Sequence, residues 1–357
     1  MKALTRSAIA AVVATVLAAP AGAEEIAGAG STFAFPIISK WSQAYRQVQA
    51  AGEFPAFKSG LDDPRSQDTL DYEPIGSTGG MMRVKERAVD FGASDVPLQS
   101  AELEKLGLAQ FPLVMGGVAA VVNIDGVASN QLKLTGPLLA DIYLGKIQSW
   151  SDAAIKAVNP DLKLPDAKIA VVRRADGSGT TFNFTTYLSQ VSPEWQQKVG
   201  ADTSVAWPTG TGARGSEGVA QTVARTKNSI GYVEYANAAQ LKLATAQVQN
   251  SAGKFVTPNG RSFQSAASSA NWDKAKDFYL MLTNAPGDEA YPIVATTFAL
   301  MPRQGGTPRR ARATLDFFGW ALEKGGKDAA DLGYVPLPDP LVKQVREYWT
   351  GTFKVGM

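Results

Sequence analysis

The stretch V-V-R-R-A-D-G-S-G-T-T-F at residues 171–182 joins three features of different character. It begins within a short apolar run, residues 169–172, which is typical of a buried β-strand. Two arginines and an aspartate follow, and then a Gly-Ser-Gly-Thr turn. Beyond the turn, Phe184, Leu188 and Val191 recur at helical spacing. A strand that passes through a glycine-rich turn into a helix indicates an α/β fold.

The same alternation of strands and helices extends along the chain. Strand-like runs are expected at 90–93, 117–124, 169–172 and 230–233, and helices at 38–48, 184–191, 315–322 and 341–349. Strands that alternate with helices favour α/β layers around a parallel or mixed sheet. Residues 50–73 are polar and interrupted by prolines, so we predict an irregular loop there.

Residues 1–23 have the layout of a secretory signal peptide. Lys2 and Arg6 precede an apolar run at 8–19, which is shorter than a bilayer-spanning helix. A proline and a cluster of small residues follow, so cleavage is expected before Glu24. Because the chain contains no cysteine, it offers no site for a lipid-anchored N-terminal cysteine. A free periplasmic protein is the simplest expectation.

The composition excludes several classes of protein. The 357 residues contain no histidine and no cysteine, so Ser-His-Asp catalysis, Cys-His catalysis and histidine-based zinc sites are impossible. The 35 Lys and Arg include Lys2 and Arg6, so the mature chain carries 33 basic against 33 acidic residues. A nucleic-acid partner would favour a basic excess and is not expected. The sequence also predicts no metal and no cofactor.

Three segments place glycine with serine or threonine just ahead of a helical pattern. They are G-A-G-S-T-F at 28–33, I-G-S-T-G-G at 75–80 and G-S-G-T at 177–180. Free backbone N–H groups and the positive end of the helix dipole make such helix starts suitable for an anion. Ordinary N-capping is the alternative for each segment alone. Three of them in one chain, one beside paired arginines, favour an oxyanion site.

Arg174 would supply that site with a fixed positive charge and a fork of donors. Asp176, two residues further on, would brace the guanidinium and hold its fork in place. The alternative is that Arg173, Arg174 and Asp176 form a solvated surface cluster, and these residues alone do not decide between the two interpretations.

Asp95, at the end of D-F-G-A-S-D at 90–95, adds a different requirement. A carboxylate beside an anion is repulsive unless the ligand carries a proton that the carboxylate can accept in a hydrogen bond. Phosphate at neutral pH carries such a proton and sulfate does not, so Asp95 predicts selection against sulfate. The alternative role for Asp95 is a turn or cap residue at a strand end.

Residues 210–215, G-T-G-A-R-G, match the dinucleotide fingerprint G-x-G-x-x-G. A helical pattern and a further strand follow it. However, the run before it is short and ends in Pro208, which suits the first strand of a dinucleotide-binding fold poorly. We therefore do not expect a nucleotide cofactor.

With these residues in place, almost the whole mature chain resembles the periplasmic phosphate-binding proteins of bacterial ABC phosphate importers. The resemblance rests on the segments at 28–33, 75–80, 89–95, 141–147, 170–180 and 230–235. It implies that phosphate is held by Thr32, Phe33 (through its backbone), Ser77, Asp95, Arg174, Ser178, Gly179 and Thr180. It also implies that Asp176 pairs with the arginine, and that Ser31, where a small residue often stands, has little effect.

The resemblance further implies two α/β lobes with a ligand cleft between them, joined by crossing segments near 112–115 and 291–297. Lobe I would be 24–114 plus 295–357, and lobe II 115–294. The expected partners are inorganic phosphate and an ABC permease with its cytoplasmic ATPase, and the protein is expected to be a monomer. The longer segment 50–73 could alter the cleft rim. A receptor for another oxyanion, a secreted phosphatase and a role at the cell surface or in the extracellular matrix remain as alternatives.

Overall fold

A nine-stranded mixed β-sheet is central to this computed structural model, which describes residues 25–51, 69–304 and 307–353. The strands in these residues are β1 (Glu25–Gly30), β2 (Thr69–Glu73), β3 (Phe91–Ser94), β4 (Leu108–Asn123), β5 (Lys133–Leu134), β6 (Ala170–Arg174), β7 (Thr211–Ala213), β8 (Ser229–Glu234), β9 (Ala244–Thr245), β10 (Gln247–Gln249), β11 (Phe255–Val256) and β12 (Val294–Pro302). Strands β5, β10 and β11 form a separate three-stranded sheet, and the others form the large one. The α/β fold predicted from the sequence is confirmed.

The helices lie between these strands and after the last of them. They are α1 (Phe35–Ala50), α2 (Ser77–Lys85), α3 (Ser100–Leu106), α4 (Gly136–Tyr143), α5 (Ala153–Val158), α6 (Gly179–Val191), α7 (Pro193–Lys198), α8 (Gly215–Arg225), α9 (Tyr235–Gln240), α10 (Gly260–Ala267), α11 (Pro308–Lys324), α12 (Gly326–Asp331) and α13 (Asp339–Thr352). Within the described ranges, none of the helices is both long and apolar enough to cross a membrane. The predicted signal peptide lies outside the described residues.

The order of strands in the large sheet explains how distant segments meet. Along the sheet it is β2-β1-β3-β12-β4-β8-β6-β7, with β9 pairing on β4. One parallel group holds β1, β2 and β3, the other holds β6, β7 and β8, and the antiparallel strands β12 and β4 lie between them. Because parallel strands end at the same edge of a sheet, Ser31 and Asp95, which follow β1 and β3, become neighbours.

Strand β4 takes part in both halves of the sheet. Its residues 108–117 pair with β12 and its residues 118–123 with β8. The strand is longer than the predicted 117–124, since Pro112 is accommodated where the register with β12 shifts between Thr297 and Phe298. The predicted crossing segment at 112–115 lies on β4. The division of the chain into two lobes with the boundaries given above stays a prediction.

The predicted loop at 50–73 is partly wrong. Residues 69–73, T-L-D-Y-E, form β2, which pairs in parallel with β1 at the edge of the sheet. Leu70 and Tyr72 alternate with polar residues and pack against the core, which is the period of a half-buried strand. The polar, proline-containing composition of residues 50–73 as a whole favoured a loop, so this short alternation was not recognised as a strand. Residues 52–68 lie outside the described residues.

Candidate ligand-binding site

Four helix starts lie around the ends of β1, β3 and β6. Helix α1 begins at Phe35, α2 at Ser77, α6 at Gly179 and α8 at Gly215. Helix α1 begins just after the first glycine-rich segment picked out from the sequence, and α2 and α6 begin within the other two. The fourth belongs to residues 210–215, whose strand β7 is a three-residue strand at the sheet edge, unlike the central first strand of a dinucleotide-binding fold.

Polar contacts join the start of α2 to the turn before α6. The Gly179 N–H donates to Ser77 Oγ at 3.1 Å, and the Thr78 N–H donates to the Gly177 carbonyl at 3.4 Å. Thr78 Oγ1 also donates to Thr203 Oγ1 at 3.1 Å. These segments are about 100 residues apart in sequence, and strands β3 and β6 are separated by three other strands in the sheet, so only the tertiary fold brings them together.

Asp95 is buried at the centre of this arrangement, with 2% of its surface exposed. Its Oδ1 accepts hydrogen bonds from Ser31 Oγ at 2.6 Å and from Thr297 Oγ1 at 2.7 Å. Its Oδ2 accepts one longer bond, from Ser77 Oγ at 3.3 Å. The Asn183 side-chain amide donates to the backbone carbonyl of Asp95 at 2.8 Å. Oδ2 therefore keeps capacity to accept a further hydrogen bond.

Opposing influences act on the charge of Asp95. Burial raises the pKa of its carboxyl above the ordinary value, because a low-dielectric interior disfavours the charged form. The hydrogen bonds from Ser31, Thr297 and Ser77, and the positive charge of Arg174, each lower the pKa in turn. The site thus surrounds a buried carboxyl with the donors that an ionised carboxylate needs.

Arg174 is the only buried basic side chain in the described ranges. Its Nε and Nη2 donate to the two carboxylate oxygens of Asp176, at 2.8 and 2.5 Å, which is the predicted brace. The Gly215 N–H at the start of α8 donates to Asp176 as well, at 3.1 Å. The remaining nitrogen, Nη1, lies 3.4 Å from both Thr180 Oγ1 and Ser216 Oγ. The solvated surface cluster considered for these residues is therefore wrong for Arg174.

Asp176 itself is only slightly exposed. Burial pushes its pKa upward, but the hydrogen bonds and charge of Arg174 and the Gly215 N–H outweigh this, and the pKa lies below its ordinary value. The pair therefore stays ionised at neutral pH. A fork fixed by two bonds leaves one edge of the guanidinium directed at Thr180 and Ser216.

The other predicted residues also lie at this place. Thr32 Oγ1 and Ser216 Oγ share a hydrogen bond of 3.0 Å, and the Phe33 N–H donates to Ser31 Oγ at 3.1 Å. Ser178 Oγ accepts from the N–H three residues further on, at 3.1 Å, so this hydroxyl is the N-cap of α6. Its hydroxyl hydrogen remains available as a donor.

Sequence reasoning missed four polar residues here. Ser31, for which little effect is expected from the sequence, donates its hydroxyl hydrogen to Asp95 Oδ1. Ser216 could have been found, because Gly215-Ser216 repeats the pattern of glycine and hydroxyl at a helix start. Thr297 and Glu234 carry no such signal, since they lie within or at the end of apolar strands.

A groove of about 770 Å³ opens beside the site. Thr32 and Ser216 form part of its wall, with Lys40 of α1 and Arg214 before α8 among the other lining residues. Its charged lining residues are these two basic side chains and one acid, Glu217, so the groove carries a small positive excess that favours the approach of an anion.

The fold and the site define an oxyanion-binding protein of the substrate-binding class. A family model described as a PBP superfamily domain matches residues 15–324. Phosphate-binding protein PstS of Xylella fastidiosa is 52% identical over 330 residues, covering 92% of this chain and 86% of that protein. PstS of Haemophilus influenzae is 42% identical, covering 94% and 95%. The chain belongs to the PBP superfamily and, within it, to the family of the PstS phosphate-binding proteins.

Solved structures with lower identity share the fold. A putative phosphate ABC transporter substrate-binding protein from Clostridium perfringens, with bound phosphate, has a TM-score of 0.61 at 19% identity, covering 88% of this chain and all of that one. The phosphate-binding protein PfluDING has a TM-score of 0.64 at 20% identity, covering 90% of this chain and 93% of its own.

Proposed function

We propose that this protein binds inorganic phosphate in the periplasm and delivers it to the membrane permease of an ABC importer, driven by a cytoplasmic ATPase. The observation that carries the proposal is that one site contains both a buried acceptor, Asp95, and a buried cation, Arg174, whose guanidinium is held by Asp176. An anion needs the cation, and only an anion that still carries a proton can use the acceptor. Its relatives are named as phosphate-binding proteins, which agrees with this chemistry.

The ligand in this proposal is held mostly by neutral donors. Backbone N–H groups at the helix starts and hydroxyl groups would donate to the oxyanion, Arg174 would supply the positive charge, and Asp95 would accept a hydrogen bond from the O–H of the ligand. The proposed ligand-binding residues are Thr32, Phe33, Ser77, Asp95, Arg174, Ser178, Gly179 and Thr180, with Asp176 as support. The hydroxyls of Ser31 and Thr297 act through Asp95, because both donate to its Oδ1.

Closure of two lobes over the ligand is part of the proposal. Ser77 and Thr78 belong to proposed lobe I, and Gly177 and Gly179 to proposed lobe II. Their mutual hydrogen bonds would form only when the cleft is shut. A ligand that contacts both lobes favours the closed state by its extra affinity for that state, and the permease can recognise the difference.

The composition favours a binding protein over an enzyme. A phosphatase would need a nucleophile with a base, or a metal cluster. The chain has no histidine or cysteine, and no group of three or more acidic residues able to hold a metal occurs in the part of the chain that is described. We propose a non-catalytic, monomeric receptor that is secreted with loss of residues 1–23.

Calorimetric titration of residues 24–357, stripped of ligand, tests the proposal. We expect tight one-to-one binding of phosphate at neutral pH, no heat with sulfate, and no turnover of a chromogenic phosphate ester. Sulfate binding as tight as phosphate binding would contradict the proposed role of Asp95. Absence of phosphate binding would overturn the function itself, and ester turnover would favour the phosphatase.

Replacing Gly179 with alanine is expected to weaken phosphate binding. A Cβ at this position would lie 2.4 Å from Ser77 Oγ and 2.6 Å from Asp95 Cβ, which is closer than real contacts allow. Overpacking of this kind costs about 1–3 kcal/mol. If the strain falls on the closed state alone, phosphate Kd rises roughly 5- to 150-fold in the titration.

The matched control is Gly260→Ala. Gly260 is likewise the first residue of a helix, α10, but a Cβ there meets no atom within 4 Å. Its phosphate Kd should stay within about twofold of that of the unsubstituted protein, since a substitution that creates no close contact costs little free energy. Equal effects of the two substitutions would show that the close approach at Gly179 is unimportant for binding.

A further inference from the structure

Glu234, at the end of β8, is a buried acid that the proposed binding mechanism leaves unused. None of its surface is exposed, and neither carboxylate oxygen has a hydrogen-bond partner. An ionised carboxylate that is buried without partners is strongly unfavourable. The side chain must therefore be neutral, or must gain a partner, for the folded protein to be stable.

The position of Glu234 in β8 directs it toward the ligand-binding site. Side chains two apart on a strand share a face, and Tyr232, two residues earlier, contacts the site. Its hydroxyl accepts from the Arg174 N–H at 3.1 Å and hydrogen-bonds Thr181 Oγ1 at 2.7 Å. The hydroxyl of Ser216, which lies 3.4 Å from Arg174 Nη1, approaches the Glu234 carboxyl without completing a well-formed bond.

The charges around the site make a second ionised acid costly. Arg174 is already neutralised by Asp176 through two hydrogen bonds. Asp95 then leaves the buried centre with a net charge of about −1 before any anion enters. An ionised Glu234 would make this −2 beside an incoming phosphate, and like charges at short range in a low dielectric repel strongly.

We propose that Glu234 is a neutral carboxylic acid in the phosphate-bound protein and that, in alkaline solution, phosphate binding takes up a proton at this residue. This inference rests on the proposed phosphate-binding function. Glu234 acts as a positioning residue: when protonated it can donate to Ser216 and leaves Arg174 Nη1 available to the ligand. When ionised, it competes with phosphate for both.

Charged and titratable neighbours act on Glu234 in opposite directions. Arg174 lowers the pKa of Glu234 and Asp95 raises it, while burial, the largest influence, raises it to about 8. The hydroxyl of Tyr334, whose own pKa burial raises well above its ordinary value, is neutral near Glu234. Arg214, just before α8, and Glu217, on α8, are exposed and therefore screened by solvent. Since phosphate prefers the protonated form, its affinity must fall as the pH rises through this pKa.

The test compares the unsubstituted protein with Glu234→Gln, which resembles the protonated acid but cannot ionise. Phosphate Kd is measured by calorimetry at pH 7.0 and pH 9.5 in buffers of different ionisation enthalpy. With a pKa near 8, ionisation of Glu234 should raise Kd about 30-fold over this range, beyond the change seen in Glu234→Gln. The titration of phosphate itself is common to both proteins and cancels. Glu217→Gln, at an exposed acid on the neighbouring helix, is the matched control and should follow the unsubstituted protein.

A second measurement does not depend on the variant. At pH 9, the unsubstituted protein should take up about 0.9 proton per phosphate at Glu234. An uptake below about 0.3 proton would overturn the inference, and so would an identical pH dependence in Glu234→Gln. If the unsubstituted protein fails to bind phosphate at pH 7.0, the proposed function itself fails. Phosphate binding at pH 7.0 without proton uptake at pH 9 would contradict only the role of Glu234 and would leave the proposed function standing.

Discussion

Replacing Asp95 with asparagine is expected to lower the ratio of phosphate to sulfate affinity by at least about 1,000-fold. Asparagine keeps an oxygen that can accept from Ser31 and Thr297, so the two short hydrogen bonds at Oδ1 can persist. The amide nitrogen would replace Oδ2. It donates where the carboxylate accepted, so the ligand proton loses its acceptor and a sulfate oxygen gains a donor. Calorimetric titration of both anions at neutral pH measures the ratio.

The control for this prediction is Asp125→Asn. The side chain of Asp125 is 76% exposed and pairs with the exposed Lys227 at the surface, so its charge is screened by solvent. The selectivity of this control should match that of the unsubstituted protein. An unchanged ratio in Asp95→Asn would show that another group accepts the ligand proton.

Removing the guanidinium with Arg174→Ala should weaken phosphate binding by about 2–5 kcal/mol, or roughly 30- to 5,000-fold in Kd. Arg174 is the one buried base in the described ranges, and its loss leaves Asp176 unpaired beside an anion site. Both effects disfavour a bound anion. The measurement is again the phosphate titration, with thermal unfolding recorded to confirm that the variant is folded.

Arg261→Ala is the matched control, because Arg261 pairs with Glu289 through two hydrogen bonds but is 82% exposed. A surface pair of this kind contributes little to stability, and its removal should leave phosphate affinity unchanged. If Arg174→Ala still binds phosphate as tightly as this control, the proposed oxyanion site is in the wrong place.

Local sequence patterns predicted much of the fold and several of the polar groups at the candidate site. The strand, turn and helix at 170–191 could be predicted because an apolar run, a glycine-rich turn and helical spacing all occur within about 20 residues. The pairing of Arg174 with Asp176 was also predictable, since the two residues lie two positions apart on a turn. The boundaries of β4 could not be predicted, because the sheet accommodates a proline at a register shift. The existence of β2 could not be predicted either, because it is a short strand at the edge of the sheet.

The sequence by itself determined the class of chemistry: oxyanion-binding helix starts, one arginine with an acid to brace it, and no histidine or cysteine for catalysis. Only the tertiary structure decided which groups surround Asp95. Thr297 reaches Asp95 across 202 positions of sequence because β12 lies beside β3 in the sheet. The burial of Glu234 likewise depends on the packing around β8. Caps and strands are encoded by neighbours along the chain, whereas burial and long-range partners follow from the order of strands, which no local pattern specifies.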